Sequence, residues 1–267
     1  MECLRGLRDF KLRKSLGQHL LVDERFAEKF AEAVGVGRVV YEIGCGLGSL
    51  TLPLSRVAEY VFCSEVDASL VKILKGCLKD AVNIDVVLTD AMSFAISGCR
   101  HVVVSNTPFY LSSRIISMLC RDVSLDFAVL GVQREVGERI LALPGTSEYG
   151  RLSVIVQLCF SVEKLFTIPR EAYKPKPKVE TVVVRLTPRR ILKAEEVEAV
   201  ELFTRAVFPY RRKKLSTGIA LGFNLDKEKA REKLTEAGIN PEKRVEEVSP
   251  EEIRVLSRFF RIYRATI

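Results

Sequence analysis

The residues Glu42-Ile43-Gly44-Cys45-Gly46-Leu47-Gly48 follow an apolar run and lead into a helix-like stretch. Glycines at the end of a strand let the backbone bend sharply and come within contact distance of a ligand. Spacing separates the candidate ligands. A phosphate-cradling loop needs Gly-Lys-Ser/Thr, and Gly48-Ser49-Leu50 offers no lysine. The dinucleotide pattern G-x-G-x-x-G would want glycine where Ser49 stands. What remains is G-x-G-x-G with Gly44, Gly46 and Gly48, preceded by the acid Glu42. Carboxylates beside a bound group attract a cation and repel a phosphate, so this turn suits a positively charged ligand.

S-adenosylmethionine (SAM) fits that description, with its sulfonium and ammonium groups and no phosphate. Two more acids fall where it would need them. Glu65 closes the second apolar run, where a carboxylate can accept from ribose hydroxyls. Asp90 closes the third and can accept from an adenine amino group. Three acids at successive strand ends point to SAM, because open α/β sheets bind ligands at that edge.

The fourth apolar run ends in Ser105-Asn106-Thr107-Pro108-Phe109-Tyr110. This arrangement suits methylation of an exocyclic amine. The lone pair of adenine N6 is delocalised into the ring and is a poor nucleophile. The Asn106 carboxamide oxygen and the Thr107 or Pro108 carbonyl can accept its two hydrogens, drawing the nitrogen toward tetrahedral geometry. Phe109 can stack on an unstacked base, a contact worth about 1–3 kcal/mol. Pro108 stiffens the turn and so pre-organises the acceptors.

These residues need a scaffold, and the chain supplies one. Val39 to Ile43, Tyr60 to Glu65, Ile84 to Thr89, His101 to Ser105 and Leu125 to Val132 read as buried strands. Helix-length stretches separate them, among them a helix from about Gly48 to Ser55 and one over Ala68 to Lys79. Such alternation predicts an α/β fold with a parallel sheet. Leu152 to Phe160 is helix or buried strand, and periodicity does not decide. Val162 to Ile168 and Thr181 to Leu186 read as an antiparallel pair closing the sheet. The Tyr173-Lys174-Pro175-Lys176-Pro177-Lys178 link between them is extended, since proline disfavours helix at itself and at its predecessor. After Pro188 the chain turns helical and charged, with helices expected over Glu195 to Val207, Asp226 to Ala237 and Pro250 to Phe260. The boundary near residue 190 gives a catalytic domain over 1–190 and a small all-α domain over 191–267.

Composition narrows the partners. In 267 residues, 42 Lys+Arg against 34 Asp+Glu leave a net charge of +8, which favours a polyanion. The longest apolar run, Leu152 to Val162, is far shorter than the roughly 20 residues a membrane helix needs. The start, Met1 to Arg5, has no signal-peptide core, so a soluble, cytoplasmic chain is expected. Seven cysteines form no CxxC pair, and His19 and His101 are the only histidines. No zinc site is expected, and the cysteines read as small apolar residues in a reducing compartment. Two histidines and no G-x-S-x-G turn also argue against a serine or cysteine hydrolase.

Taken together, these segments resemble the ribosomal RNA adenine N6,N6-dimethyltransferase family (KsgA-like). Lys14-Ser15-Leu16-Gly17-Gln18-His19-Leu20-Leu21 resembles its amino-terminal segment, which usually ends Gly-Gln-Asn-Phe-Leu and folds over SAM. Gln133 to Arg139 and Tyr149 to Val154 resemble its central block, and Tyr173 to Val179 its F-x-P-x-P-K-V segment. Arg205 and Phe208 to Leu215 are similar to its basic helical region. His19 stands in place of the usual Asn, Cys45 of a common Pro, Thr107 of an apolar residue and Phe109 of Tyr.

The resemblance implies a Rossmann-like SAM-dependent methyltransferase fold with a mostly parallel seven-stranded sheet. It implies SAM contacts at His19, Leu21, Gly44, Glu65, Asp90 and Asn106, by side chain or backbone in the case of His19. S-adenosylhomocysteine would be the product, and no metal is involved. The implied reaction places two methyl groups on each of two adjacent adenines near the 3′ end of small-subunit ribosomal RNA. The partner would be that RNA or the pre-assembled small subunit, met by a monomer. Lys176 and Lys178, with Lys174, and the block Arg211, Arg212, Lys213 and Lys214 follow aromatics and are candidate RNA contacts. Two rivals stand beside this reading: a large-subunit RNA adenine dimethyltransferase, and a non-catalytic nucleic-acid-binding factor on the same scaffold. Glu65, Asp90 and Asn106 present together argue against the second.

Overall fold

The computed structural model describes residues 19–93, 99–106 and 111–261. Two compact units divide the chain: Met1–Gly137 with Glu163–Thr187, and Glu138–Val162 with Pro188–Ile267. The helical unit thus takes in the segment 138–162 as well as the carboxy-terminal stretch.

The first unit opens with the short strand β1 (Leu20–Leu21) and helix α1 (Glu24–Val34). Asp23 caps α1, its carboxylate accepting from the Arg25 N–H at 3.1 Å. Then come β2 (Val39–Ile43), α2 (Thr51–Val57), β3 (Tyr60–Glu65), α3 (Ala68–Cys77) and β4 (Ile84–Leu88). They are followed by β5 (His101–Asn106), α4 (Ser112–Leu119), β6 (Leu125–Gln133) and α5 (Arg134–Leu141). Helix α6 (Arg151–Cys159) runs directly into β7 (Phe160–Ile168), and β8 (Tyr173–Lys174) and β9 (Thr181–Pro188) complete the strands.

Seven of these strands form one sheet in the order β4-β3-β2-β5-β6-β9-β7. Neighbours from β4 through β6 are parallel, and β9 runs antiparallel to β6. This is the α/β fold that the apolar alternation predicted, with the mostly parallel seven-stranded sheet that the family resemblance implied. Phe30 of α1 and Leu54 of α2 pack into one apolar cluster with Val40, Val61, Val102, Val104 and Val129. Val71 and Leu74 of α3 pack with Cys45, Cys63 and Val86 in another.

Two local differences have clear causes. Helix α2 begins at Thr51 instead of near Gly48, because Gly44, Gly46 and Gly48 all take positive φ (75°, 56° and 84°), which an α-helix does not accommodate. The ambiguous run 152–160 is helical up to Cys159, starting where Ser153 Oγ accepts from the Gly150 N–H at 3.0 Å. The reading of all cysteines as reduced is corrected at Cys77, which is disulfide-bonded, whereas Cys45, Cys63, Cys99 and Cys159 are free thiols.

In the second unit, α7 (Ala194–Val207), α8 (Leu215–Phe223), α9 (Lys227–Glu236) and α10 (Pro250–Phe259) follow one another. Phe203, Phe223 and Phe260 form its aromatic centre, with ring centroids 5.3–5.9 Å apart. Ser249 starts α10 through a capping box with Glu252 and Pro250 in the first turn. Among the described residues no helix is long and apolar enough to cross a membrane.

Candidate active site

Because β2 to β5 are parallel neighbours, their carboxyl ends share one edge of the sheet. The glycine turn leaves β2 at that edge and closes over β3: the Gly44 and Cys45 N–H groups donate to the Ser64 carbonyl at 2.9 and 3.2 Å. The positive φ angles of its glycines let the turn fold back this tightly. Leu20 of β1 covers it, with Cδ2 only 3.5 Å from where a Cβ at Gly46 would lie.

Glu65, the last residue of β3, is buried and held by three backbone donors. Its Oε2 accepts from the Gly46 N–H at 3.0 Å, and Oε1 accepts from the Val66 and Asp67 N–H groups, both at 2.9 Å. A carboxylate offers about four acceptor sites, so this arrangement fixes its orientation and leaves room for a hydroxyl donor. Glu42 lies one strand over, fully buried, and accepts from the Thr51 hydroxyl at 2.6 Å. Burial pushes its carboxyl up to about 7, against the Thr51 hydrogen bond and with help from the Glu65 charge. Asp90 stands two residues past β4, exposed, with Oδ1 accepting from the Met92 N–H at 2.9 Å.

Asn106 ends β5 half-buried on the same edge. Its Oδ1 accepts from the Tyr173 hydroxyl at 3.1 Å. The neighbouring Ser105 hydroxyl donates to the Ile43 carbonyl at 2.9 Å and ties β5 to β2 just below the glycine turn. Tyr173 comes from β8, which pairs antiparallel with β1 so that Leu21 faces Tyr173 and Leu20 faces Lys174. Burial pushes the Tyr173 hydroxyl up to about 12, against its hydrogen bond with Thr181, so it stays protonated at neutral pH. His19 Nδ1 lies 2.7 Å from the Pro175 carbonyl oxygen, and the Leu21 side chain sits in the apolar core. Pro108 and Phe109, with Thr107, lie outside the described residues.

The structure thus brings Gly44, Gly46, Glu65, Asp90 and Asn106 to one edge, with the His19 to Leu21 strand pinned beside the turn. The basic candidates fall into separate groups. Lys176 pairs with Glu171, and Lys178 is exposed. In the second unit, Arg212 and Lys213 are exposed and Lys214 pairs with Glu242 at 2.5 Å. Arg211 is engaged internally: it donates to the Ser147 carbonyl at 2.6 Å and lies 3.2 Å from the Glu246 carboxylate. Three site residues escaped sequence reasoning. Thr51 lies nine positions from Glu42 with no pattern linking them. Tyr173 and Thr181 lie on strands whose pairing is not local. A tyrosine at the head of a segment that usually begins with Phe was the one available signal for Tyr173.

The family model for ribosomal RNA adenine dimethylase matches residues 9–261. A Methanopyrus kandleri protein named probable ribosomal RNA small subunit methyltransferase A is 38% identical over 240 residues, 87% of this chain and 86% of its own length. Ribosomal RNA small subunit methyltransferase A of Clostridioides difficile is 36% identical over 264 residues, covering 93% of this chain and 91% of that protein. The crystal structure of a dimethyladenosine transferase from Plasmodium falciparum superposes with a TM-score of 0.76 at 25% identity, over 91% of this chain and 98% of that one. With its sheet order, its glycine turn and this match over nearly its whole length, the chain belongs to the ribosomal RNA adenine dimethylase family.

Proposed function

We propose that this chain dimethylates N6 of two adjacent adenines near the 3′ end of small-subunit ribosomal RNA, using SAM, as a step in small-subunit maturation. The observation that carries the reading is the Asn106 carboxamide oxygen, fixed at the end of β5 on the edge that also bears Glu65 and the glycine turn. The small-subunit names of the Methanopyrus and Clostridioides relatives support the substrate class.

The donor set suits SAM. The turn carries no lysine, and the carboxylates of Glu65 and Asp90 stand where a phosphate would be repelled and a hydroxyl- and amine-bearing cation attracted. Glu65 accepts from the ribose hydroxyls and Asp90 from the adenine amino group. Gly44 and Gly46 give the close backbone approach, and His19 and Leu21 close over the ligand. Bound SAM supplies an electrophilic methyl carbon, and its departure as S-adenosylhomocysteine balances the transfer. Asn106 accepts a hydrogen of the target amine and draws its lone pair out of conjugation. By sequence alone, the Thr107 or Pro108 carbonyl takes the second hydrogen and Phe109 stacks on the base. No strong base is needed, because the amine loses its proton after it has become cationic. No metal enters this scheme.

Lys176, Lys178, Arg212 and Lys213, with Lys214, contact phosphates and set position more than sequence. The enzyme works as a cytoplasmic monomer on a partly assembled subunit, whose shape selects the target. To test this, unmethylated small subunits and naked small-subunit RNA are incubated with methyl-labelled SAM and digested to nucleosides. Label in N6,N6-dimethyladenosine is the expected result, and label confined to any other nucleoside overturns the reading.

A further inference from the structure

A carboxamide has one face that accepts and one that donates, and the two differ little in shape. If Asn106 turned its NH₂ toward a target amine, donor would meet donor and the site would lose its function. Something must therefore select one orientation of this side chain.

We infer that Tyr173 is a positioning residue for the amine acceptor, its hydroxyl holding the Asn106 oxygen in place and leaving one lone pair of that oxygen for the substrate. The inference rests on the reading of Asn106 as that acceptor. The Tyr173 hydroxyl has a single hydrogen, and it goes to Asn106 Oδ1 at 3.1 Å. Thr181 is the second hydrogen-bonding partner of the same hydroxyl, so its own hydroxyl must be the donor. With the Asn106 oxygen toward the tyrosine, the result is a directed chain of donors, Thr181 to Tyr173 to Asn106. Both upstream members are buried, Tyr173 at 4% and Thr181 at 2% exposure, so water does not compete for these bonds.

The surrounding sheet keeps the carboxamide from escaping. Asn106 faces Gly131 across β5 and β6, and Thr181 starts β9 opposite Gln133 of β6. A Cβ at Gly131 would stand 2.9 Å from Asn106 Oδ1 and 3.2 Å from Thr181 Cγ2, so only glycine leaves room for this grouping. Because Tyr173 also faces Leu21 of β1, the same residue joins the strand beside the glycine turn to the acceptor. A phenylalanine here would keep the ring packing and lose the orienting hydrogen bond.

The test compares the unaltered chain with Tyr173→Phe, Thr181→Val and Asn106→Ala, alone and combined. Tyr173→Phe is expected to lower the single-turnover rate of methyl transfer about five- to tenfold, as loss of one orienting hydrogen bond does. SAM and RNA dissociation constants should stay within about twofold. Thr181→Val should act in the same direction and more weakly. In the Asn106→Ala background, Tyr173→Phe should cost nothing further. Independently of turnover, the Asn106 side-chain amide resonance should shift in Tyr173→Phe. A full rate in Tyr173→Phe, an additive loss in the double variant, or an unmoved amide resonance overturns the inference. Absence of adenine methylation by the unaltered chain would instead remove the reading on which it rests. The amide resonance, read without turnover, tells these two failures apart.

Discussion

The Glu65 carboxylate accepts the Gly46 N–H at 3.0 Å, so one side chain at the end of β3 fixes the turn that leaves β2. The same carboxylate receives the Val66 and Asp67 N–H groups. Its place is therefore set before any ligand arrives, which lowers the ordering cost of binding. Glu65→Ala is expected to weaken SAM binding at least about tenfold by calorimetry, the loss typical of a hydrogen bond to a charged group. Turnover at saturating SAM should fall much less. An unchanged dissociation constant would remove Glu65 from the ligand's partners.

Glu42 and Thr51 give a pH signature. Burial raises the folded-state carboxyl of Glu42 to about 7 from an ordinary 4.5, so the folded chain binds this proton more tightly than the unfolded one. Stability from this group is therefore greatest at low pH and declines as pH rises between about 4.5 and 7, by up to about 3 kcal/mol. Urea unfolding at pH 5 and pH 8 should show the unaltered chain losing more stability across that interval than Glu42→Gln. Equal pH slopes would show that Glu42 is not buried as described.

The basic block divides into two kinds of residue. Arg212 and Lys213 are exposed, whereas Arg211 is half-buried and hydrogen-bonded to the Ser147 carbonyl beside Glu246. Replacing Arg212 and Lys213 by Ser should lower the slope of log affinity against log salt for RNA by about one to two. Arg211→Ser should instead cost about 1 kcal/mol of folding stability, because it removes the hydrogen bond to the Ser147 carbonyl and the half-buried pairing with Glu246. An unaltered salt slope in the first variant would move the RNA surface elsewhere.

The sheet was legible because its central strands are mostly apolar, and the acids Glu65 and Asp90 fell at the ends of runs that the apolar pattern could bound. Helix α8 was not legible. Its Leu-Ser-Thr-Gly-Ile-Ala-Leu-Gly-Phe carries two glycines, which weaken a helix, and its reason lies in packing. A Cβ at Gly222 would come within 2.7 Å of the Ala206 carbonyl oxygen, so the glycine is what lets α8 approach α7. The break between α6 and β7 at Phe160 was hidden for a related reason: most of α6 is buried, and residues buried on nearly all sides carry no periodic signal. The Thr51 and Tyr173 hydroxyls belong to contacts across 9 and 67 residues, a distance at which residue types give no register. Charge runs look alike in sequence, so Arg211 could not be told from Arg212 until its partners were placed.

Asn106→Ala, assayed beside the unaltered chain on unmethylated small subunits with labelled SAM, decides whether the β5 carboxamide performs the chemistry. Methyl transfer should fall at least about a hundredfold, as when a pre-organised polar group is deleted from a transition-state site. SAM and RNA affinities should change only slightly. Equal loss of binding and turnover, or an undiminished rate, would show that Asn106 supports the fold and that methyl transfer occurs by other means.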